Sequence, residues 1–473
     1  MHRTVKPLTS LHLSCLGLLL LVSAYLRIKG LTTQSYWNDE LASIVLTDPD
    51  NSFSQVIIET LKDRSPLLYQ LILWDWFKLF GFTEIAGRSL SAFTGILAIP
   101  AMYFMARECM NKNTALYAVL ITGLNNFHIY YSQEVRSYGL FFLVSSLSVL
   151  YLSRLTREHN NRNLLLYTFF TICLVQSHYY GLPVYLGLFC TLIVYKLKND
   201  RAMTLPSRYL TINLVATLIS LLPVLPFMAM NALRGATWIK KPDPDFLFDY
   251  FRGYFGSDVL SFVYAILFFG GLWFLFRQKE QHHRYLVYMV IFVFLFVYIL
   301  PYLESLVSTP MIINRYTIGV LPLIILIIAT GLDAIKQNSV KVLVVIMVVT
   351  LNFYVLFVYR DYYGEVHKQQ YRDVIEHVIA ARENVPVFAC KHERVEKYFK
   401  ILGHPTKVLD DDELYNRLMD GSAPGKFWYI GSTCCGCQES TKKANEYKRN
   451  HGITPDDQLV KYRAFAYLVS NVK

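Results

Sequence analysis

The stretch LHLSCLGLLLLVSAYLRI, Leu11–Ile28, followed shortly by YWNDE, Tyr36–Glu40, decides the fold. The first part is an apolar run of membrane-spanning length. It exceeds the short core of a secretory signal, and no small-residue cleavage site follows it, so it predicts a retained first helix. The second part sets two carboxylates, Asp39 and Glu40, side by side just past that helix. Adjacent acids are costly to desolvate, so they belong at the interface or in a wet cavity. A solvated loop that merely ends a helix would also carry them, and the rest of the chain decides between the two readings.

Apolar runs of similar length recur outward from this stretch, at about Leu90–Ala106, Ala115–Tyr131, Tyr138–Ser153, Leu164–Gln176, Leu182–Tyr195, Tyr209–Ala229, Leu260–Phe276, Tyr285–Pro301, Tyr316–Ile335 and Val342–Val358. With the first, they predict a polytopic all-α membrane protein of about 11 transmembrane helices. Only 17% of the 473 residues are charged, below the roughly 25% of soluble domains. The net charge of +11 lies largely in short Lys/Arg clusters between apolar runs, which is the positive-inside pattern and not a nucleic-acid surface.

His2, Arg3 and Lys6 precede the first run and predict a cytoplasmic N-terminus. The clusters Arg107/Lys112, Arg154/Arg157/Arg162, Lys196/Lys198/Arg201, Arg277/Lys279/Arg284 and Lys336/Lys341 all fall on that same side. The opposite face receives the longer connections, Gly30–Arg88, Met230–Val259 and Glu304–Arg315, with interfacial aromatics such as Trp37, Trp74, Trp76 and Trp238. Pro66–Phe80 is apolar but short and holds Asp75 and Lys78, so it reads as an interfacial or re-entrant helix. Counting it as a span would invert every later cluster.

Residues 1–358 thus form a membrane domain with an external loop at 30–88, and residues 359–473 a small α/β domain on the external face. In that tail, β-like runs at Val385–Cys390, Lys426–Gly431 and Lys461–Val469 alternate with helical patterns at Tyr371–Arg382 and Arg394–Leu402. Four of the 8 cysteines, Cys15, Cys109, Cys173 and Cys190, lie in or beside spans and read as packing residues. The others, Cys390, Cys434, Cys435 and Cys437, lie in the tail, where an oxidising compartment favours at least one disulfide of unassigned pairing. The C-x-x-C spacing of Cys434 and Cys437 also admits a metal site or redox exchange.

Acids, a histidine and arginines gather on the external rim: Asp39, Glu40, Asp63 and Arg64; the run Ser132-Gln133-Glu134-Val135-Arg136-Ser137-Tyr138; Ser177-His178-Tyr179; and Arg315-Tyr316. Each has an ordinary explanation alone, since helix-end arginines snorkel and rim histidines pack. Together they suit transfer from an anionic lipid. Arginine holds a phosphate bidentately at headgroup level. A carboxylate deprotonates an acceptor hydroxyl that attacks the anomeric carbon of a polyprenyl-phosphate sugar, and the phosphate leaves already ionised. This direct displacement inverts the anomeric centre, and arginine, with or without a divalent metal, stabilises the leaving charge.

These residues resemble the GT-C membrane glycosyltransferases, in the bacterial branch related to protein O-mannosyltransferases and aminoarabinose transferases. Trp37-Asn38-Asp39-Glu40 resembles the group's acidic motif in the first external loop. Arg64-Ser65-Pro66-Leu67-Leu68-Tyr69 is similar to its basic-or-His, Pro-Pro, Leu, x, Tyr segment, with Ser65 where the family usually has Pro. Phe80-Gly81-Phe82-Thr83-Glu84-Ile85-Ala86-Gly87-Arg88 resembles the linker before the second span, and Ser132–Tyr138 its S-Q-E-x-R-x-Y run. The resemblance covers roughly Leu11–Tyr363. It implies a GT-C-like fold, Asp39 and Glu40 as catalytic acids with Asp39 as the base, and substrate contacts from Arg64, Glu134, Arg136, Tyr138, His178, Tyr179, Arg315 and Tyr316. It also raises Asp63 as a ligand for a divalent metal ion, the only cofactor in view.

The expected function is transfer of one sugar, hexose or pentose, from a polyprenyl-phosphate donor to a periplasmic glycan, lipid or protein. The expected location is the bacterial inner membrane. The alternatives are a lipid-linked oligosaccharide ligase or polymerase, and a transporter with no bond chemistry. A transporter calls for polar or broken helices at the membrane midplane, whereas here the ionisable residues cluster at one rim.

Overall fold

The computed structural model describes residues 10–63, 65–198, 205–227, 239–433, 437, 442, 449 and 455–470. His2, Arg3, Lys6, Arg64, Arg201, Trp238, Cys434 and Cys435 lie outside them. The chain divides into two compact units. One comprises Met1–Lys29, Ile57–Tyr69 and Ser91–Tyr362, and the other Gly30–Val56, Gln70–Leu90 and Tyr363–Lys473.

The first unit is a bundle of apolar helices. Among the described residues, 8 helices are long and apolar enough to cross a membrane: Ser10–Ile28, Glu84–Cys109, Tyr138–Arg157, Gly181–Lys198, Asp258–Arg277, Gln281–Val307, Asn314–Asp333 and Asn338–Tyr359. The remaining three expected spans are occupied by shorter helices. Asn161–Ser177 has 17 residues and Ser207–Leu221 has 15. The third is split into Lys112–Leu124 and Asn126–Tyr131.

The split has a local cause. The Asn125 side chain accepts from the His128 peptide N–H at 2.8 Å, capping a new helix. The carbonyls freed at the end of the first piece, Thr122 and Gly123, accept from the buried Arg27 guanidinium at 2.9 and 3.1 Å. Elsewhere small residues let helices touch. A Cβ added at Gly331 would run into the Leu267 carbonyl, and one at Gly271 into that of Ile327. Tyr138–Arg157 and Asn314–Asp333 are buried along most of their length, whereas Ser10–Ile28 and Asn338–Tyr359 present apolar residues outward, including Leu18, Leu21, Val342 and Leu343. That is the surface a bilayer covers.

The second unit is built on a five-stranded sheet of order β2-β1-β3-β5-β4. The strands are β1 Val387–Ala389, β2 Val408–Asp410, β3 Lys426–Ser432, β4 Asp457–Lys461 and β5 Ala464–Ser470. β1 runs parallel to β2 and β3, and β5 runs antiparallel to β3 and β4. Phe388, Leu414, Phe427, Tyr429, Phe465 and Val469 form a core cluster. Three expected strands and two expected helices appear, the latter as Tyr371–Ala380 and His392–Ile401. The edge strands β2 and β4 were not anticipated. The run expected from Lys461 is instead a hairpin that turns at Tyr462 and Arg463, the latter at φ 55°. Cys390 and Cys437 form a disulfide.

Gly30–Val56 and Gln70–Leu90 belong to this unit, although the sequence placed them as a loop of the membrane domain. Ion pairs explain the grouping. Lys397 and Lys400 each reach the buried Asp48 at 2.7 Å, and Arg372 reaches Glu84 at 2.7 Å. Burial pushes the Asp48 carboxyl up, but the two lysines outweigh it and hold it below its ordinary value. The expected interfacial segment is the 14-residue helix Leu67–Phe80, which is not among the membrane-length helices.

Candidate active site

Asp39 lies in the first turn of the helix Asn38–Leu46 and is half-buried. Its neighbour Glu40 is fully buried, and its carboxylate is engaged twice by Arg88, at 2.9 Å from Nε and 2.8 Å from Nη2. Arg88 also donates to the carbonyls of Leu31, Gln34 and Ser35 at 2.7, 2.6 and 3.0 Å. Its guanidinium carbon lies 4.9 Å from the centre of the Tyr36 ring. Glu40 Oε2 further accepts from the Trp37 peptide N–H at 3.3 Å and lies 3.4 Å from Lys368 Nζ. This carboxylate folds the loop around itself, so the two acids differ in environment.

The other cluster forms in the helical unit. The run Ser132–Ser137 turns sharply, with the Arg136 N–H donating to the Glu134 carbonyl at 2.7 Å. Its first residues are structural. Gln133 Nε2 donates to the carbonyls of Leu26, Arg27 and Lys29, which end the first helix, at 3.2, 3.1 and 2.8 Å. Ser132 packs where a Cβ on Gly95 would sit. Glu134 is fully buried close to Tyr130. Ser91 Oγ, bonded to Tyr69 at 2.7 Å, donates to the Arg136 carbonyl at 3.3 Å and braces the turn.

Beyond this turn, Tyr138, His178, Arg315 and Tyr316 come together. The His178 ring stacks on Phe141 at 5.1 Å and lies 5.7 Å from Tyr138 and 5.1 Å from Tyr316. His178 Nδ1 accepts from the Tyr180 peptide N–H at 3.1 Å, which leaves the ring proton on Nε2. Burial, and then the guanidinium charges of Arg136 and Arg315, push the imidazole from 6.5 down to about 3. His178 is therefore a neutral donor that feels the charges of both arginines. Arg315 and Tyr316 open a 3₁₀ segment, Asn314–Val320, whose Thr317 hydroxyl bonds the buried Tyr254. Tyr179 is half-buried, and its carbonyl accepts from the Leu182 N–H at 3.2 Å where the next helix starts.

Arg64 lies outside the described residues, and Asp63 is exposed at the end of the helix Phe53–Lys62. Among the described residues, three acids close enough to share a metal ion occur only at Asp410, Asp411 and Asp412. Among the described residues no such group includes Asp63, and no catalytic step is assigned to a metal. Sequence reasoning missed Arg88 and Lys368. Arg88 closes the linker Phe80–Arg88, and its one signal was an arginine at the head of a long apolar helix.

Residues 64–227 match the model of the dolichyl-phosphate-mannose-protein mannosyltransferase family. The structure is similar to that of ArnT from Cupriavidus metallidurans bound to undecaprenyl phosphate, with TM-score 0.61 and 12% identity over 96% of this chain and 97% of that one. It is also similar to the Archaeoglobus fulgidus oligosaccharyltransferase AglB in complex with an inhibitory peptide and a dolichol-phosphate. There the TM-score is 0.53 and the identity 11%, over 89% of this chain and 69% of that one. Among curated protein sequences none matches. At these identities the likeness is one of fold.

Proposed function

We propose that this multi-span membrane protein, which has the fold of the GT-C glycosyltransferases, moves one sugar from a polyprenyl-phosphate donor to an envelope acceptor with inversion. The observation that carries the reading is the nearness of the Arg136 and Arg315 charges to the packed rings of His178, Tyr138 and Tyr316 in the helical unit. Two cations and an N–H donor suit the phosphate of a polyprenyl-phosphate sugar. The undecaprenyl phosphate in the similar ArnT structure supports that choice of lipid.

In this reading Asp39 is the base. It takes the proton of an acceptor hydroxyl while the oxygen attacks the anomeric carbon, and the sugar–phosphate bond breaks on the opposite face. The electron pair goes to the phosphate oxygen, whose charge Arg136 and Arg315 stabilise, with His178 Nε2–H as a further donor. Arg64 and Tyr179 are further substrate contacts, and Tyr138 and Tyr316 wall the phosphate site. Glu40 acts through Arg88 in shaping the loop and Glu134 through the turn that carries Arg136, so both are positioning acids. The reaction belongs at the periplasmic face of a bacterial inner membrane, with the N-terminus cytoplasmic and the C-terminal domain periplasmic.

Mass spectrometry of surface glycans and lipids tests the assignment. One sugar is expected to disappear when the gene is deleted, to return with the wild-type copy, and to stay absent with Asp39→Asn present at normal level in the membrane. Return of the sugar with Asp39→Asn would remove Asp39 from the role of base.

A further inference from the structure

Asp39 follows Asn38 in the first turn of its helix, and Asn38 is held by side chains from the C-terminal part of the chain. The Asn38 peptide N–H starts a helix and has no acceptor within it. It donates to Gln369 Oε1 at 2.8 Å. Gln369 is only 2% exposed, and its Nε2 donates to Ser432 Oγ on β3 at 2.8 Å, which fixes which face of the amide is offered. The Asn38 carbonyl accepts from Arg394 Nη1 at 3.1 Å, and the same nitrogen bonds the Asn38 side chain. Backbone donor, backbone acceptor and side chain of one residue are thus all engaged.

Arg394 belongs to the helix His392–Ile401, which grips the loop on both sides of Asp39. Its Tyr398 hydroxyl accepts from the Tyr36 N–H at 3.0 Å, lies 2.9 Å from Ser35 Oγ and bonds Glu84. Lys397 and Lys400 bind Asp48, just past the end of the helix Asn38–Leu46. Residues 394, 397, 398 and 400 lie on one side of their helix, at the spacing by which a helix presents a face to one partner. Lys368, next to Gln369, adds its contact to Glu40 on the other side of Asp39.

We propose that Arg394 and Gln369 are positioning residues for Asp39, making the C-terminal domain part of the catalytic apparatus; the inference rests on the reading of Asp39 as the base. Neither residue touches the reacting atoms. Each fixes the first turn of the helix from which Asp39 projects, and small misplacements of a reacting group cost rate far more than binding.

The experiment adds purified full-length variants to membranes of the deletion strain, which supply donor and acceptor, and follows the restored product over time. Arg394→Met and Gln369→Leu are expected to lower the rate at saturating membrane roughly 10- to 100-fold. The half-saturating amount of membrane, and inhibition by added undecaprenyl phosphate, are expected to stay within about twofold of wild type on the same ground. Arg394→Lys, which keeps a donor for the Asn38 carbonyl, should recover part of the rate. Lys426→Met removes an ion pair to Glu383 elsewhere in the C-terminal domain, and should leave the rate near wild type. Equal losses in Arg394→Met and Lys426→Met, no recovery with Lys, or a loss tracking only thermal stability would overturn the proposal. Asp39→Asn in the same assay separates the two claims. If it is active, the base is misassigned; if it is inactive while Arg394→Met is normal, only the positioning claim fails.

Discussion

Each N–H of Arg88 has an acceptor, in the Glu40 carboxylate and the carbonyls of Leu31, Gln34 and Ser35. With Glu40 at 0% and Arg88 at 1% exposure, removing one partner strands the other charge. Arg88→Ala is expected to cost about 3–5 kcal/mol, against a smaller loss for the paired change Glu40→Gln with Arg88→Met. Thermal unfolding of the purified protein reads both, and an Arg88→Ala protein as stable as wild type would refute this role. His178 gives a pH prediction. Its folded value lies below 6.5, at about 3, so the unfolded chain takes up the proton first. Stability carried by neutral His178 is complete above about pH 6.5 and falls as pH drops toward 3. Melting temperatures of wild type and His178→Gln between pH 7 and 4 should therefore converge on acidification. The residue types of both clusters were readable from their motifs. The different environments of Asp39 and Glu40 were not, because Glu40 meets Arg88 across 48 positions of sequence.

Long apolar elements were legible and short ones were not, for a physical reason. A membrane helix announces itself by length and composition, whereas the edge strands β2 and β4 have three and five residues and are specified by their neighbours in the sheet. The break at Asn125 was hidden because the apolar run continues through it, and Arg27, distant in sequence, helps satisfy the carbonyls left behind. The disulfide between Cys390 and Cys437 is the clearest test at this scale. It joins positions 47 apart, and Cys390 lies between the end of β1 and the helix that carries Arg394. Chain-entropy reasoning gives such a crosslink about 4 kcal/mol. Cys390→Ser with Cys437→Ser should unfold the C-terminal unit at lower temperature and expose it to protease sooner. An unchanged protease pattern would show that the sheet holds without the crosslink.

For the whole molecule, the decisive quantity is the parity of crossings. The described residues hold 8 helices of full membrane length, plus shorter ones at the three further expected spans. An odd total puts the C-terminal domain opposite the N-terminus, as the basic clusters require. We expect a cysteine introduced at Glu158 to be labelled only from the cytoplasmic side, and one at Glu304 or Thr406 only from the periplasmic side. Labelling of both Glu158→Cys and Thr406→Cys from one side would contradict the topology. The grouping of Gly30–Val56 and Gln70–Leu90 with Tyr363–Lys473 was beyond the reach of local patterns, since its ion pairs join segments some 350 residues apart.

The central claim is bond cleavage at a polyprenyl-phosphate sugar, with Asp39 as base. Its most direct test is mass spectrometry of lipids from deletion-strain membranes after adding the purified protein. The account predicts loss of one polyprenyl-phosphate monosaccharide, matched by equal gains of free polyprenyl monophosphate and of acceptor bearing that sugar, with no change for Asp39→Asn. Consumption of a lipid-linked oligosaccharide instead, or relocation of an intact glycolipid with no free polyprenyl monophosphate formed, would contradict it.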